Sequence, residues 1–242
     1  MSEKKIDLIA QLLAKAESTS PEEAEALTEH AERLMVKYMV DQATIDAKRA
    51  AAGSYSEKIV EVTVRFSGVY RGEMIHMGSS IARGLKTLRC MQSSGNGSSF
   101  TLWLVGFESD VAQAKALLES LQIQSMVAVR AWWKENKDAY LHRSGYDQEK
   151  ARRSFVHGFG SGAGKRVAAN RQQTVQEAGT GTELVLVSRE SKVQAHIDAI
   201  STRKGRSRNA TAGGAANSQG YRAGQDANTG DKNLTQGRGI TA

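Results

Sequence analysis

The sequence predicts an α+β fold, in which a small, mainly antiparallel sheet carries long helices and is joined to an N-terminal helical hairpin and a glycine-rich basic arm. Three observations point to it. Val60, Val62, Val64 and Phe66 alternate with Glu61, Thr63 and Arg65, the period of a strand with one solvated face. Ser109 opens a run whose apolar positions, Val111, Ala114, Leu118, Leu121, Ala128 and Trp132, fall three or four apart along much of its length, as on one face of a long helix. After Ile200 the composition changes, and residues 205–242 hold eight glycines and almost no large apolar side chain. The chain therefore divides into a hairpin over 1–52, an α+β domain over 53–202 and a flexible arm over 203–242.

Taken in order, Lys4 to Glu17 places Ile6, Ile9, Leu12, Leu13 and Ala16 on one helix face. Ser20-Pro21-Glu22-Glu23 then offers an N-cap serine, a proline at the first helical position and an acid at the third, so a second helix starts at Pro21 and runs to Tyr38. Too short to bury its own apolar faces, the hairpin is expected to dock Leu12, Leu27 and Leu34 on the body. The alternating strand ends at Ser67-Gly68, and Glu73 to Leu85 reads as a helix with Met74, Met77, Ile81 and Leu85 inward. Leu88–Gln92 and Phe100–Gly106 bracket a Ser-Ser-Gly-Asn-Gly-Ser loop suited to a hairpin. The long helix is expected over Ser109–Leu141 and is followed by a glycine-punctuated helix. Glu183–Val187 reads as a further strand, Ser188 caps a helix through Ile200, and Ala215–Asn228 is compatible with a short helix packed through its small residues.

The run Lys5-Ile-Asp-Leu-Ile-Ala-Gln-Leu-Leu-Ala-Lys-Ala-Glu-Ser-Thr-Ser-Pro-Glu-Glu-Ala-Glu, with Ala31-Glu-Arg-Leu-Met-Val-Lys-Tyr after it, resembles domain of unknown function family twenty-seven eighty-six of bacterial and phage proteins. Gly106-Phe-Glu-Ser-Asp110 and Arg153-Ser-Phe-Val-His-Gly158-Phe are similar to the second domain that usually follows in that family. The resemblance implies a shared fold and a phage or bacterial origin. It brings no activity, cofactor or catalytic residue with it.

Composition bounds the function. The chain of 242 residues is 40% hydrophobic and 24% charged, enough to bury a core. Its single cysteine, Cys90, precludes an intrachain disulfide, and no secretory signal is visible, so a cytoplasmic location is expected, that of the host cell if the protein is phage-encoded. The longest apolar runs fall short of the roughly 18 residues of a membrane span, so no membrane partner is expected. Charge is uneven: 18 Lys and Arg face 20 Asp and Glu up to Glu149, against 15 and 6 from Lys150 onward. An excess of cations confined to the last third suits a polyanion such as DNA or RNA, or a solvated surface with no partner.

Candidate chemistry is sparse. Gly158-Phe-Gly160-Ser-Gly162-Ala-Gly164-Lys165-Arg166 resembles a phosphate loop, but Phe159 and Arg166 stand where glycine and Ser or Thr are required and no strand leads in. Glycines four apart fit close helix packing better. The five histidines and Cys90 show no spacing for a metal, and Cys90 lies in a strand between Arg89 and Met91, so neither a metal nor another cofactor is expected. What remains is a basic set, Arg143, Arg152, Arg153, Lys165, Arg166, Arg203, Lys204, Arg206 and Arg208, beside Trp132, Trp133, Tyr140 and Tyr146. Lys and Arg contact phosphates and exposed rings stack on bases, although two tryptophans on a helix also suit a core.

The leading expectation is a non-catalytic phage-type accessory protein that binds nucleic acid or another acidic partner through its C-terminal third. The first alternative is an enzyme with a dispersed polar site near His142, His157 and Arg153, acting on a phosphorylated or nucleotide substrate. The second is an assembly protein whose C-terminal arm orders on a protein partner or on other copies of the chain. As an arm, everything after Ile200 is expected to be removable without loss of the fold.

Overall fold

The computed structural model describes residues 57–94, 99–178, 180–200 and 214–227, together with the helical positions Leu12, Lys15, Glu23, Leu27, His30 and Leu34. Strand β1 (Ile59–Ser67) leads to helix α1 (Arg71–Leu85), and β2 (Arg89–Ser94) to β3 (Ser99–Phe107). Helix α2 (Glu108–Asn136) ends in a 3-10 turn at Lys137–Tyr140, and α3 (Gly145–Ala178), α4 (Thr180–Ala199) and α5 (Ala215–Gln225) follow. The sheet has the order β1-β3-β2 and is antiparallel throughout, with Ile59 opposite Phe107, Ser67 opposite Ser99, and Arg89 opposite Val105. The fold is α+β, as the sequence implies.

Most of the expected hairpin, including its docking on the body, lies outside the described residues. At the six positions described there, Leu12, Leu27 and Leu34 are half-buried, whereas Lys15, Glu23 and His30 are exposed. Lys15 and Glu23 approach to 3.6 Å.

The core forms where the inner face of β3 meets α1, α2 and α3. Leu102 and Leu104 of β3, Met77, Ile81 and Leu85 of α1, Leu117, Leu118 and Leu121 of α2, and Phe155 and Phe159 of α3 are all buried in one cluster. Trp132 joins it, stacked on Phe155 at 4.9 Å and donating its indole N–H to Gln219 Oε1 at 2.7 Å. Trp133 is half-buried beside it.

Helix α3 is the hub. Its contact pairs with α1 step forward together (Arg153 with Glu73, His157 with His76, Gly164 with Ser80), so the two helices run in the same direction. The pairs with α5 do likewise, from Ser154 with Asn217 to Gly162 with Tyr221. Glycine makes both approaches possible. A Cβ at Gly160 would lie 2.9 Å from Met77 Cβ, and one at Gly164 would lie 2.6 Å from Ser80 Cβ. On the other side, side chains at Gly158 and Gly162 would collide with the carbonyls of Asn217 and Tyr221. Gly220 and Gly224 of α5 answer against the carbonyls of Phe155 and Phe159. Close helix packing is thus the use of these glycines.

Two expectations need correction. Glu183–Val187 is not a strand but part of α4, because the buried residues Thr182, Leu186, Arg189 and Val193 are spaced four, three and four apart and form a helical stripe. The flexible-arm reading does not describe residues 214–227, where α5 buries Ala216, Gly220 and Gly224 on α3, with Ala227 buried just beyond its end. These residues are ordered by packing on their own chain.

Candidate functional site

Helix α3 distributes four of the candidate basic residues, Arg152, Arg153, Lys165 and Arg166, around its circumference. At 100° per residue, Arg152 and Arg166 fall within about 40° of each other, but Lys165 lies about 140° from Arg152. Their roles differ as well. The Arg152 guanidinium sits 4.9 Å over the Trp133 ring, and Arg153 is held by Glu73 Oε1 at 2.8 Å and by Glu149 at 3.6 Å. Those acids raise the Arg153 pKa against the opposing effect of burial. Arg166 is half-buried, and Lys165 is exposed. His142 and Arg143 are exposed beyond the 3-10 turn, where the Arg143 N–H donates to the Tyr140 carbonyl at 3.0 Å. Arg203, Lys204, Arg206 and Arg208 lie outside the described residues.

What the fold does bring together is a polar seam along the outer side of α3, with α1 as one wall and α5 as the other. His157 touches both walls. Its ring stacks on His76 with centroids 3.7 Å apart and planes 15° from parallel, and its Nδ1 lies 3.4 Å from the side-chain amide nitrogen of Asn217. That amide also donates to the Ser154 carbonyl at 3.1 Å. On the other ring, His76 Nε2 is 2.7 Å from Ser161 Oγ, and Ser161 donates to the His157 carbonyl at 3.3 Å.

These partners assign the tautomers. The Asn217 amide can only donate, so His157 Nδ1 accepts and Nε2 carries the proton. Ser161 gives its proton to the carbonyl, so His76 donates through Nε2 and keeps a lone pair on Nδ1. Burial lowers the His76 pKa to about 4, with the charges of His157 and Arg83 adding to the effect. Burial lowers His157 too, against the pull of Glu73. Both rings are therefore neutral near pH 7, which removes the repulsion that two stacked imidazolium ions would suffer. Glu73 lies at the start of the seam, 6% exposed, and its Oε2 has no hydrogen-bond partner among the described residues.

The bond directions bear on chemistry. A serine nucleophile requires a base that accepts its proton, whereas Ser161 donates to backbone and His76 is too weak a base to take that proton near neutrality. The seam is built to hold hydrogen-bonding rings in place. Of the proposed polar site, Arg153 and His157 lie one helical turn apart and His142 is elsewhere. Sequence reasoning missed His76, Ser161, Glu73 and Asn217, because His76 and His157 are separated by 81 positions and no local spacing links them.

A second charged cluster ties α4 to the sheet. Arg189 donates to Glu57 Oε2 at 3.0 Å and Asp110 Oδ2 at 3.1 Å, with its guanidinium 3.9 Å over Phe107. Glu57 also accepts the Ser109 N–H at the start of α2, at 2.7 Å. Burial pushes Asp110 up to about 6 despite Arg189. Hydrogen bonds from Ser109 and the charge of Arg189 outweigh burial at Glu57 and lower its pKa. Every member of this cluster is occupied by another, so it is a clamp and not a binding site. Among the described residues no group of three or more His, Cys, Asp or Glu is placed to hold a metal ion. No described helix is long and apolar enough to cross a membrane.

Residues 4–42 match the family described as protein of unknown function (DUF2786). The matched segment contains none of the seam or clamp residues. No curated protein and no solved structure matches the chain.

Proposed function

We propose that the protein is a non-catalytic accessory protein of phage type, acting in the cytoplasm of a bacterial host, that binds nucleic acid electrostatically through its C-terminal third. The observation that carries this reading is the charge asymmetry, 15 Lys and Arg against 6 Asp and Glu from Lys150 onward. The structure narrows which cations are available. Arg152, Arg153 and Arg189 are engaged within the fold, whereas Arg143, Lys150, Lys165, Lys192 and Arg222 are exposed. The densest basic group, Arg203 to Arg208, belongs to the stretch that joins Ile200, just after α4, to Gly214, just before α5. A basic segment joined to a folded body at both ends can follow a phosphate backbone without a preformed groove.

The test is a salt titration of DNA binding by the full chain. Each neutralised phosphate contributes about −0.9 to the slope of log affinity against log salt on duplex DNA. Replacing Arg203, Lys204, Arg206 and Arg208 by glutamine is expected to make the slope shallower by about three to four while the melting temperature stays put. A full chain that gives no mobility shift at about 50 mM salt, or binds without salt dependence, overturns the reading.

A further inference from the structure

Beyond its electrostatic surface, the chain carries a second, non-electrostatic feature in the seam between α1 and α5. We propose that the His76–His157 pair is a seat for a nucleobase, the unpaired base of a single-stranded nucleic acid, with Arg83 and Lys165 receiving its phosphates.

Four features of the seam support this. First, the rings are already stacked at 3.7 Å and partly open to solvent, and neutral planar rings are the platform on which unpaired bases stack. Second, Ser161 and Asn217 hold one edge of each ring, which leaves His157 Nε2–H as a donor and His76 Nδ1 as an acceptor, both without a partner among the described residues. A donor and an acceptor together suit the mixed donor and acceptor groups of a nucleotide, whereas a bare phosphate would use the donor alone. Third, α1 and α3 run in the same direction, so Arg83, seven residues beyond His76, and Lys165, eight beyond His157, reach the same end of the seam. Both are exposed, about 10–12 Å along the helices from the rings. Fourth, the negative charge at the other end, Glu73, is compensated by Arg153. The seam therefore has a ring platform at one level and cations at another, the order of base and phosphate in a nucleotide strand. Duplex DNA cannot use it, because its bases are already stacked and paired.

This inference rests on the nucleic-acid reading for its polymer, and the experiment separates the two. Affinities of the full chain are measured for a 20-nucleotide single strand of dA, for the matching dA·dT duplex and for heparin, which has charge and no bases. His157→Ala is expected to weaken single-strand binding between about 5- and 100-fold at unchanged salt slope, and to leave heparin and duplex binding as they were. An equal loss on all three polyanions overturns the inference, as does no loss on the single strand. Should His157→Ala fail to fold, the wild-type chain decides: the ring C–H signals of His76 and His157 in a proton NMR titration with adenosine 5′-monophosphate are expected to move upfield and saturate. Unmoved signals overturn the seat. A chain that binds none of the three polyanions but shows the saturating shift would sink the electrostatic reading, keep the seat, and identify its occupant as a free nucleotide.

Discussion

His76 and Asp110 titrate in overlapping ranges of pH with opposite consequences for stability. The folded-state pKa of His76, about 4, lies below the ordinary 6.5, so the unfolded chain takes up a proton first. The stability associated with neutral His76 is present above pH 6.5 and is lost as the pH falls toward 4. His157 is shifted in the same direction. Asp110 behaves the other way: its folded-state pKa, about 6, lies above the ordinary 3.8, so its contribution is full below pH 3.8 and is lost as the pH rises through 6. The two slopes partly cancel in the wild-type chain. His76→Gln should uncover the difference. Urea unfolding at pH 4, 5, 6 and 7 is expected to show the variant losing less stability on acidification than the wild type, and parallel curves would mean that His76 is not held neutral by the fold.

At the scale of elements, each glycine pair of α3 marks a surface that a neighbouring helix occupies. Gly162→Val drives a side chain into the Tyr221 carbonyl of α5, whereas Gly145, at the start of α3, has nothing within 4 Å of its missing Cβ. Overpacking of this kind costs about 1–3 kcal/mol, or roughly 2–12 °C in a chain of this size. A thermal melt of Gly162→Val should show that drop, while Gly145→Ala should melt at or slightly above the wild type. Equal melts for the two variants would mean that α5 does not sit in the glycine face.

The same elements show what could be read in advance. Helices α1 and α2 were legible because their apolar residues recur at three and four, and β1 because Val60 to Phe66 alternate. Helix α4 was misread at Glu183–Val187, where Leu184 and Val187 are in fact exposed and the buried stripe includes an arginine. Nothing local announces that Arg189 is an inward residue, since its partners Asp110 and Glu57 are 79 and 132 positions away. The histidine seam was invisible for the same reason. A hydrophobic period is a local property, whereas a polar contact between α1, α3 and α5 depends on three separate helices.

For the whole molecule, the seating of α5 reverses the expectation that everything after Ile200 can be removed. Deletion of residues 201–242 uncovers the backbone of α3 at Gly158 and Gly162, takes Gln219 from the Trp132 indole and takes Asn217 from His157. A buried donor left without a partner costs about 1–3 kcal/mol before any lost packing is counted. The deletion should lower the melting temperature and shift the Trp132 fluorescence to the red. A deleted chain with the wild-type melt and emission would show that α5 is dispensable. The glutamine variant at Arg203, Lys204, Arg206 and Arg208 is therefore the cleaner test of binding, since it leaves α5 in place.

The glycines on both sides of α3 also set an order of events during synthesis. Four glycines between residues 158 and 164 cost this stretch about 1 kcal/mol each in intrinsic helicity, so it is a poor helix until neighbours pack against it. Helix α1 has been made by then and can cover one side. The other side waits for α5, which is translated some fifty residues after Gly164. A ribosome must pass residue 225 and release it from the exit tunnel before α3 has both walls, so the centre of the domain closes late on a chain that grows from the other end.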